Sequence, residues 1–251
     1  MTLQTHMMKL NFKILSICIV LAAIVISPAF VSAIVGTGGA NFCTNLNTFS
    51  TQYSSAVQQR VNALQQKIEQ SNASLASVRV KEDQALSTTR QNMDAKKEQY
   101  YAQLEAKATT DEQKTAVQNF ETAMDAASTA RKSAIDAANK AFRDGVDAII
   151  AQKQPLIQQA GPAFEAAVKS AFDKAKSSCT SGTASATVRS TLLTDLKTAK
   201  DQFKTAVNAG NAINSQMKTL KATRNSAFKK AATDYKTAVQ KATADLKAVF
   251  K

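Results

Sequence analysis

Residues 57–78 read VQQRVNALQQKIEQSNASLASV, and the apolar residues of this segment are regularly spaced. Its seam positions recur at steps of three and four if Ser71 is counted among them. They are Val57, Val61, Leu64, Ile68, Ser71, Leu75 and Val78. Such spacing predicts a helix with one narrow apolar stripe along a partner. No Gly or Pro occurs from residue 44 to 107, so the helix is expected to fill that range.

The stripe continues beyond the quoted stretch after a shift of one residue. Its further positions are Leu86, Met93, Tyr100 and Leu104. Thr110 to Gln113 then fits a capping box, in which Thr110 is the N-cap and Gln113 reaches back to it. This pattern predicts that a second helix begins at about residue 111.

The second helical segment contains three expected interruptions. Pro155 lacks an N–H and clashes with the preceding turn, so it is expected to kink or end the helix. Gly161-Pro162 is expected to form a second joint, and residues 177–182 are expected to form a turn. From 183 to 251, steps of three and four return, with an extra step of four near Arg224 and a glycine at position 210.

The fold class predicted from these patterns is all-α. Three arms of similar length, 44–107, 111–179 and 183–251, are expected to run antiparallel as a single domain over 44–251. The favoured architecture is an elongated, coiled-coil-like bundle of three long helices, each roughly 100 Å long at 1.5 Å per residue. A shorter bundle of four or five helices is the alternative.

The N-terminus has the pattern of an export signal. Lys9 and Lys13 precede a mostly apolar segment from Ile14 to Ile26, and Val31-Ser32-Ala33 fits a cleavage site. Residues 1–33 are therefore predicted to be a signal peptide and residues 34–43 a flexible leader. The expected location is secreted, or on the cell surface or envelope; the alternative is an uncleaved N-terminal membrane anchor.

Removal of residues 1–33 leaves two cysteines, Cys43 and Cys179. Two cysteines in an exported chain are most simply interpreted as one disulfide. If the first arm runs out and the second runs back, Cys179 returns to the level of Cys43. Cysteine placement and arm length therefore predict the same bridge.

The exported chain lacks the residues of common catalytic sites. Its only histidine, His6, lies in the predicted signal, which excludes His-based catalysis and His-containing metal sites from the remainder. A bridged cysteine pair leaves no thiol nucleophile, and no Gly-rich phosphate loop is visible. We therefore expect a protein that is not an enzyme, with no catalytic residues, metal or cofactor.

Charge is distributed unevenly along the chain. Without residues 1–33 it holds 30 Lys and Arg against 19 Asp and Glu, and residues 180–251 alone carry 13 against 4, a net charge of +9. On one straight helix, eight lysines of this arm share one broad stripe. They are Lys197, Lys200, Lys204, Lys218, Lys221, Lys229, Lys236 and Lys247. The stripe is either a surface that binds anions or a solvated face that aids solubility.

Three classes of function fit these features. The first is a structural or interaction protein of the envelope or surface, in contact with another protein or with copies of itself. The second is a binder of anionic surfaces or polymers through the lysine stripe: phospholipid, with peripheral membrane contact, cell-wall polymer or the nucleic-acid backbone. Lys acts as a point charge, so sequence-specific reading of nucleic acid is disfavoured. The third is a holdase-like envelope chaperone.

Overall fold

The computed structural model describes residues 41–209 and 211–250, without the side chains of 211–214. The predicted signal 1–33 and most of the predicted leader lie outside these residues. Four helices account for nearly all of the described chain: α1 (Phe42–Glu105), α2 (Asp111–Thr180), α3 (Ser185–Asn208) and α4 (Asn211–Val249). No strand occurs in the described ranges, and the all-α prediction is confirmed.

The predicted count of three helices is wrong, because the third arm is two helices. α3 ends at Asn208, where the N–H of Ala209 donates to the carbonyl of Thr205 at 2.9 Å, and α4 begins at Asn211. Ala209 and the glycine at position 210 separate the two helices in the sequence, and glycine is common just past a helix end.

α2 continues through the residues expected to interrupt it. Pro155 and Pro162 both lie inside the helix, although an interior proline costs about 3 kcal/mol. The prediction that the helix ends at Pro155 is wrong, because packing outweighs local preference: Ile157 and Ala160 after Pro155, and Phe164 after Pro162, are buried. Gly161 is no joint. A Cβ at this position would lie 2.7 Å from Cγ1 of Val61, so glycine allows α1 and α2 to approach closely.

The ends of α2 are set by local hydrogen bonds. The predicted capping box is present: the Gln113 N–H donates to Oγ1 of Thr110 at 3.2 Å, and the Thr110 N–H donates to Oε1 of Gln113 at 3.3 Å. The turn expected over 177–182 starts later, because α2 extends to Thr180. Gly182 then takes a φ of +80°, which glycine adopts without steric cost.

The described residues group into two compact units that share α1 and α2. Unit 1 contains the described residues up to Ala76 and Ile150–Asn214, and unit 2 contains Ser77–Ile149 and the described residues from Ser215 onward. Each unit thus receives one segment from α1, one from α2 and one from the third arm, which is α3 with the first four residues of α4 in unit 1 and the rest of α4 in unit 2.

Unit 1 has a continuous apolar core built from its three helical segments. Tyr53 packs on Phe172 with ring centroids 5.7 Å apart, and Phe164 packs on Phe203 at 5.1 Å. The predicted stripe positions of α1 contribute here, since Val57 and its successors to Leu64 are buried. Aromatic pairs of this kind stabilise a core beyond their buried area.

The predicted disulfide is confirmed at one end of the unit 1 core. Cys43 and Cys179 are bridged with their Cα atoms 5.7 Å apart, and both pack against the core cluster. α1 begins at Phe42, which is fully buried, so the helix starts within the predicted leader 34–43. The first turn of α1 is therefore held both by apolar packing and by a covalent bond.

Unit 2 buries less apolar surface than unit 1. Its main apolar cluster is formed by the end of α1, the start of α2, the connection between them and the end of α4. The buried members are Tyr101, Ala108, Val117, Phe120, Ala242 and Leu246. Two predicted stripe positions in α1 are not buried, since Met93 is 50 % and Tyr100 47 % exposed. The stripe prediction is wrong at these two positions, because Tyr101 is the buried tyrosine and ion pairs supply much of the α1–α2 contact.

Candidate functional site

A row of ion pairs joins α1 to α2 within unit 2. Its members, read along α1, are Arg79–Asp147 at 2.8 Å, Asp83–Arg143 at 2.6 Å, Arg90–Asp136 at 2.7 Å, Asp94–Lys132 at 2.8 Å and Lys97–Asp125 at 2.6 Å. In the three arginine pairs, each guanidinium donates from two nitrogens to both carboxylate oxygens. Such two-point contacts fix the register of the helices better than a single contact does.

These contacts alter the acidity of the groups involved. Hydrogen bonds from Arg143 hold the pKa of Asp83 below its ordinary value of 3.8, and the ammonium group of Lys132 does the same for Asp94. The pKa of Arg143 is raised in turn, chiefly by its hydrogen bond to Asp83. Acidic side chains of α1 and α2 are thus largely engaged with basic ones from the same two helices.

One arginine of α4 is buried in the seam of unit 2. Arg224 is 7 % exposed, and its guanidinium carbon lies 4.2 Å from the ring centroid of Phe142 and 5.7 Å from that of Phe228. Burial lowers its pKa, and its Nε has no hydrogen-bond partner. In the sequence, the apolar spacing has an extra step of four near Arg224. In the structure, Arg224 itself occupies a buried position there, and its cation lies over aromatic rings.

The lysines of α4 divide into two sets. Lys230 donates to Asp234 and Lys241 to Asp245, each at 2.7 Å across one helical turn. The five α4 lysines of the predicted stripe have no carboxylate within ion-pair distance among the described residues. They are Lys218, Lys221, Lys229, Lys236 and Lys247. Four of the five are exposed and Lys221 is half-buried.

These two sets occupy opposite flanks of α4. At about 100° per residue, the five unpaired lysines fall within about 80° of one another. The buried residues of the helix, among them Met217, Ala231 and Leu246, lie to one side of that row. Asp234 and Asp245 lie on the far flank. We call the row of five the lysine flank; it contains no acidic residue.

Three of the eight predicted lysines belong to α3 and to unit 1. Lys197 donates to Asp201 at 2.8 Å, which raises the pKa of Lys197 and lowers that of Asp201. Lys200 and Lys204 also lower the pKa of Asp201 through their charge. Because α3 ends at Asn208, the eight lysines lie on two helices and not on the single straight helix assumed in the sequence analysis.

Sequence reasoning missed the pairing that separates these lysines. The contacts Lys197–Asp201, Lys230–Asp234 and Lys241–Asp245 could have been found from their spacing of four residues. The row of pairs between α1 and α2 had no such signal, since it depends on the register of two helices. The burial of Arg224 likewise required the structure.

The described residues contain neither a metal site nor a membrane span. Nowhere within 41–209 and 211–250 do three His, Cys, Asp or Glu side chains stand close enough to hold a metal ion. In those same ranges, no helix combines the length and the apolar character needed to cross a lipid bilayer. The chain matches no protein-family model, curated protein or solved structure.

Proposed function

We propose that this chain is a non-enzymatic interaction protein of the extracytoplasmic space that binds anionic partners through the lysine flank of α4. The observation that carries the proposal is the contrast in pairing within unit 2. Carboxylates engage the basic residues that lie between α1 and α2, whereas the five lysines of the flank have none. The exposed Lys81 and Lys96 of α1 also lack a carboxylate partner, but among the described helices only α4 carries five such lysines in one row. Unneutralised positive charge on one flank attracts anions.

The extracytoplasmic location is supported by the Cys43–Cys179 bridge. Disulfides form and persist mainly in oxidising compartments outside the cytosol. The export signal predicted over residues 1–33 agrees with that location. An elongated arrangement of the helical arms, as expected from the sequence, also belongs to this proposal, because a long bundle would present the flank along its length.

The proposal is tested by changing Lys218, Lys221, Lys229 and Lys236 together to Gln and measuring binding to an immobilised phosphate polymer at low salt. We expect strong loss of binding with little change in melting temperature, because exposed substitutions usually alter stability by less than about 0.5 kcal/mol each.

A matched control removes four positive charges from the same unit at lysines that already have an acidic neighbour. Its positions are Lys114, Lys140, Lys230 and Lys241. This variant should retain most of the binding. Equal loss from both variants would mean that net charge alone attracts the polymer. If the wild-type protein fails to bind at low salt, a purely structural role becomes the better account.

A further inference from the structure

The lysine flank is a row rather than a cluster. Lys218 and Lys247 are 29 residues apart on one helix, which corresponds to about 43 Å at 1.5 Å per residue. The other three lysines lie between them on the same flank. A compact anion, such as a single phosphate group, could contact only one or two of these ammonium groups at once.

Most residues between the lysines are small or polar, and Ala222, Asn225, Ala232, Gln240 and Thr243 share the lysine flank. The apolar Val239 lies at the edge of the flank and is half-buried. The large apolar side chains that are exposed in the described chain, Val80, Met93, Tyr100 and Leu156, all belong to α1 or α2. The flank therefore offers no aromatic ring on which a base could stack and no apolar wedge for insertion into a bilayer.

The apolar face of α4 is already occupied. Met217, Ala231, Ala242 and Leu246 are buried within unit 2, whereas a helix that lies in a membrane interface buries its apolar face in lipid. The one described arginine of α4, Arg224, is also buried, so no guanidinium on the flank offers two-point recognition. What remains accessible is a line of point charges.

We infer that the lysine flank binds a linear phosphodiester polymer that lies along α4, with recognition of its backbone charge alone. This inference rests on the proposed function and specifies its partner. The backbone chemistry is common to nucleic acids and to polyol-phosphate polymers of cell walls. A linear chain can contact all five lysines in turn, which neither a free anion nor a base-specific contact achieves.

The number of lysines sets the expected salt dependence. Neutralisation of five phosphates of a single-stranded chain predicts a slope of about −3.5 in log K against log salt concentration, since each contact contributes about −0.7. A chain of 4 units is shorter than the row of about 43 Å. A chain of 13 units spans the row even at the compact duplex spacing of about 3.4 Å per phosphate. Affinity should therefore rise steeply with chain length until the chain spans the row and only gradually beyond.

The experiment measures binding of oligothymidylates of 4, 13 and 26 units, and of a poly(glycerol phosphate), to the full chain over a range of salt. The variant Lys229→Gln with Lys236→Gln should make the slope shallower by about 1.4. Its matched control, Lys230→Gln with Lys241→Gln, removes the same charge from the opposite flank and should leave the slope nearly unchanged. Both polymers should bind with similar slopes.

Four results would overturn the inference while leaving anion binding intact. They are equal affinity for the 4-unit and 13-unit chains, binding to thymidylate only, binding to phosphatidylglycerol vesicles but to neither polymer, and equal slopes for both lysine variants. Absence of binding to every probe, vesicles included, would instead contradict the proposed function itself. The two failures are therefore distinguishable.

Discussion

Removal of the disulfide by Cys43→Ser with Cys179→Ser should lower the free energy of unfolding by up to about 5 kcal/mol. The cysteines are 136 positions apart, and closing a loop of that size reduces the entropy of the unfolded chain by about 17 cal/mol/K in the loop-closure model. The figure is an upper value for the loop term, because the unfolded chain retains some structure.

A folded unit 2 changes this estimate only slightly. If unit 1 unfolds alone, the unfolded part of the loop consists of residues 43–76 and 150–179, which are 34 and 30 residues long. The Arg79–Asp147 pair in the folded unit 2 keeps the two ends of these segments together. A loop of about 64 residues still corresponds to about 4 kcal/mol, because closure entropy grows only with the logarithm of length.

Urea unfolding followed by helical ellipticity measures the change, and hydrogen exchange shows where it falls. We expect the midpoint to drop and protection to decrease in 41–76 and 150–209 more than in 77–149. Wild-type protein in reductant is the control and should behave like the variant. A loss below about 1 kcal/mol would refute the loop-entropy reasoning, and a variant without helix would show that the bridge is needed for folding.

Three further predictions concern single groups. Arg143 lowers the pKa of Asp83 in the folded state, so the contribution of Asp83 to stability is complete above pH 3.8 and is lost as the pH falls below 3.8. The variant Asp83→Asn should therefore show a flatter dependence of the urea midpoint on pH in this acidic range. Burial raises the pKa of Tyr53 to about 12, so this tyrosine keeps its proton to higher pH in the folded state than in the unfolded state, and stability should fall as the pH rises above 10. Absorbance at 295 nm should show at least one tyrosine that ionises late, and Tyr53→Phe should remove one late-ionising tyrosine from the titration. Arg224→Met should leave thermal stability unchanged or raise it by up to about 2 kcal/mol, whereas Arg224→Ala should lower it by about 2 kcal/mol; a large loss with Met would mean that the contact with Phe142 outweighs the cost of burying the cation.

Sequence periodicity was sufficient for the fold class and for the packed part of α1. Val57, Val61 and Leu64 are buried as their spacing predicts, because a continuous apolar core surrounds them in unit 1. The same reasoning failed at Met93 and Tyr100. There the neighbouring helix is held by ion pairs, and the period of apolar residues carries no information about that kind of contact.

Local breaker rules gave mixed results for a physical reason. The capping box at Thr110 was predictable, since it needs only two side chains three residues apart. Pro155 was expected to kink or end α2, but the helix does not end there, and Ile157 and Ala160 in the turns that follow are buried in unit 1. The lysine flank shows the same limit: spacing located the lysines, while their lack of acidic partners became visible only in the structure.

The Cys43–Cys179 bridge also governs what a protease could achieve. Lys107 is exposed in the short connection between α1 and α2, where trypsin-like enzymes cleave. A cut there would separate the chain into two pieces, yet each piece carries one of the bridged cysteines, so the pieces would stay covalently joined until the disulfide is reduced. A cut between α3 and α4 would have no such covalent safeguard, and the lysine flank would then be held to the rest of the protein only by the packing of α4 within unit 2.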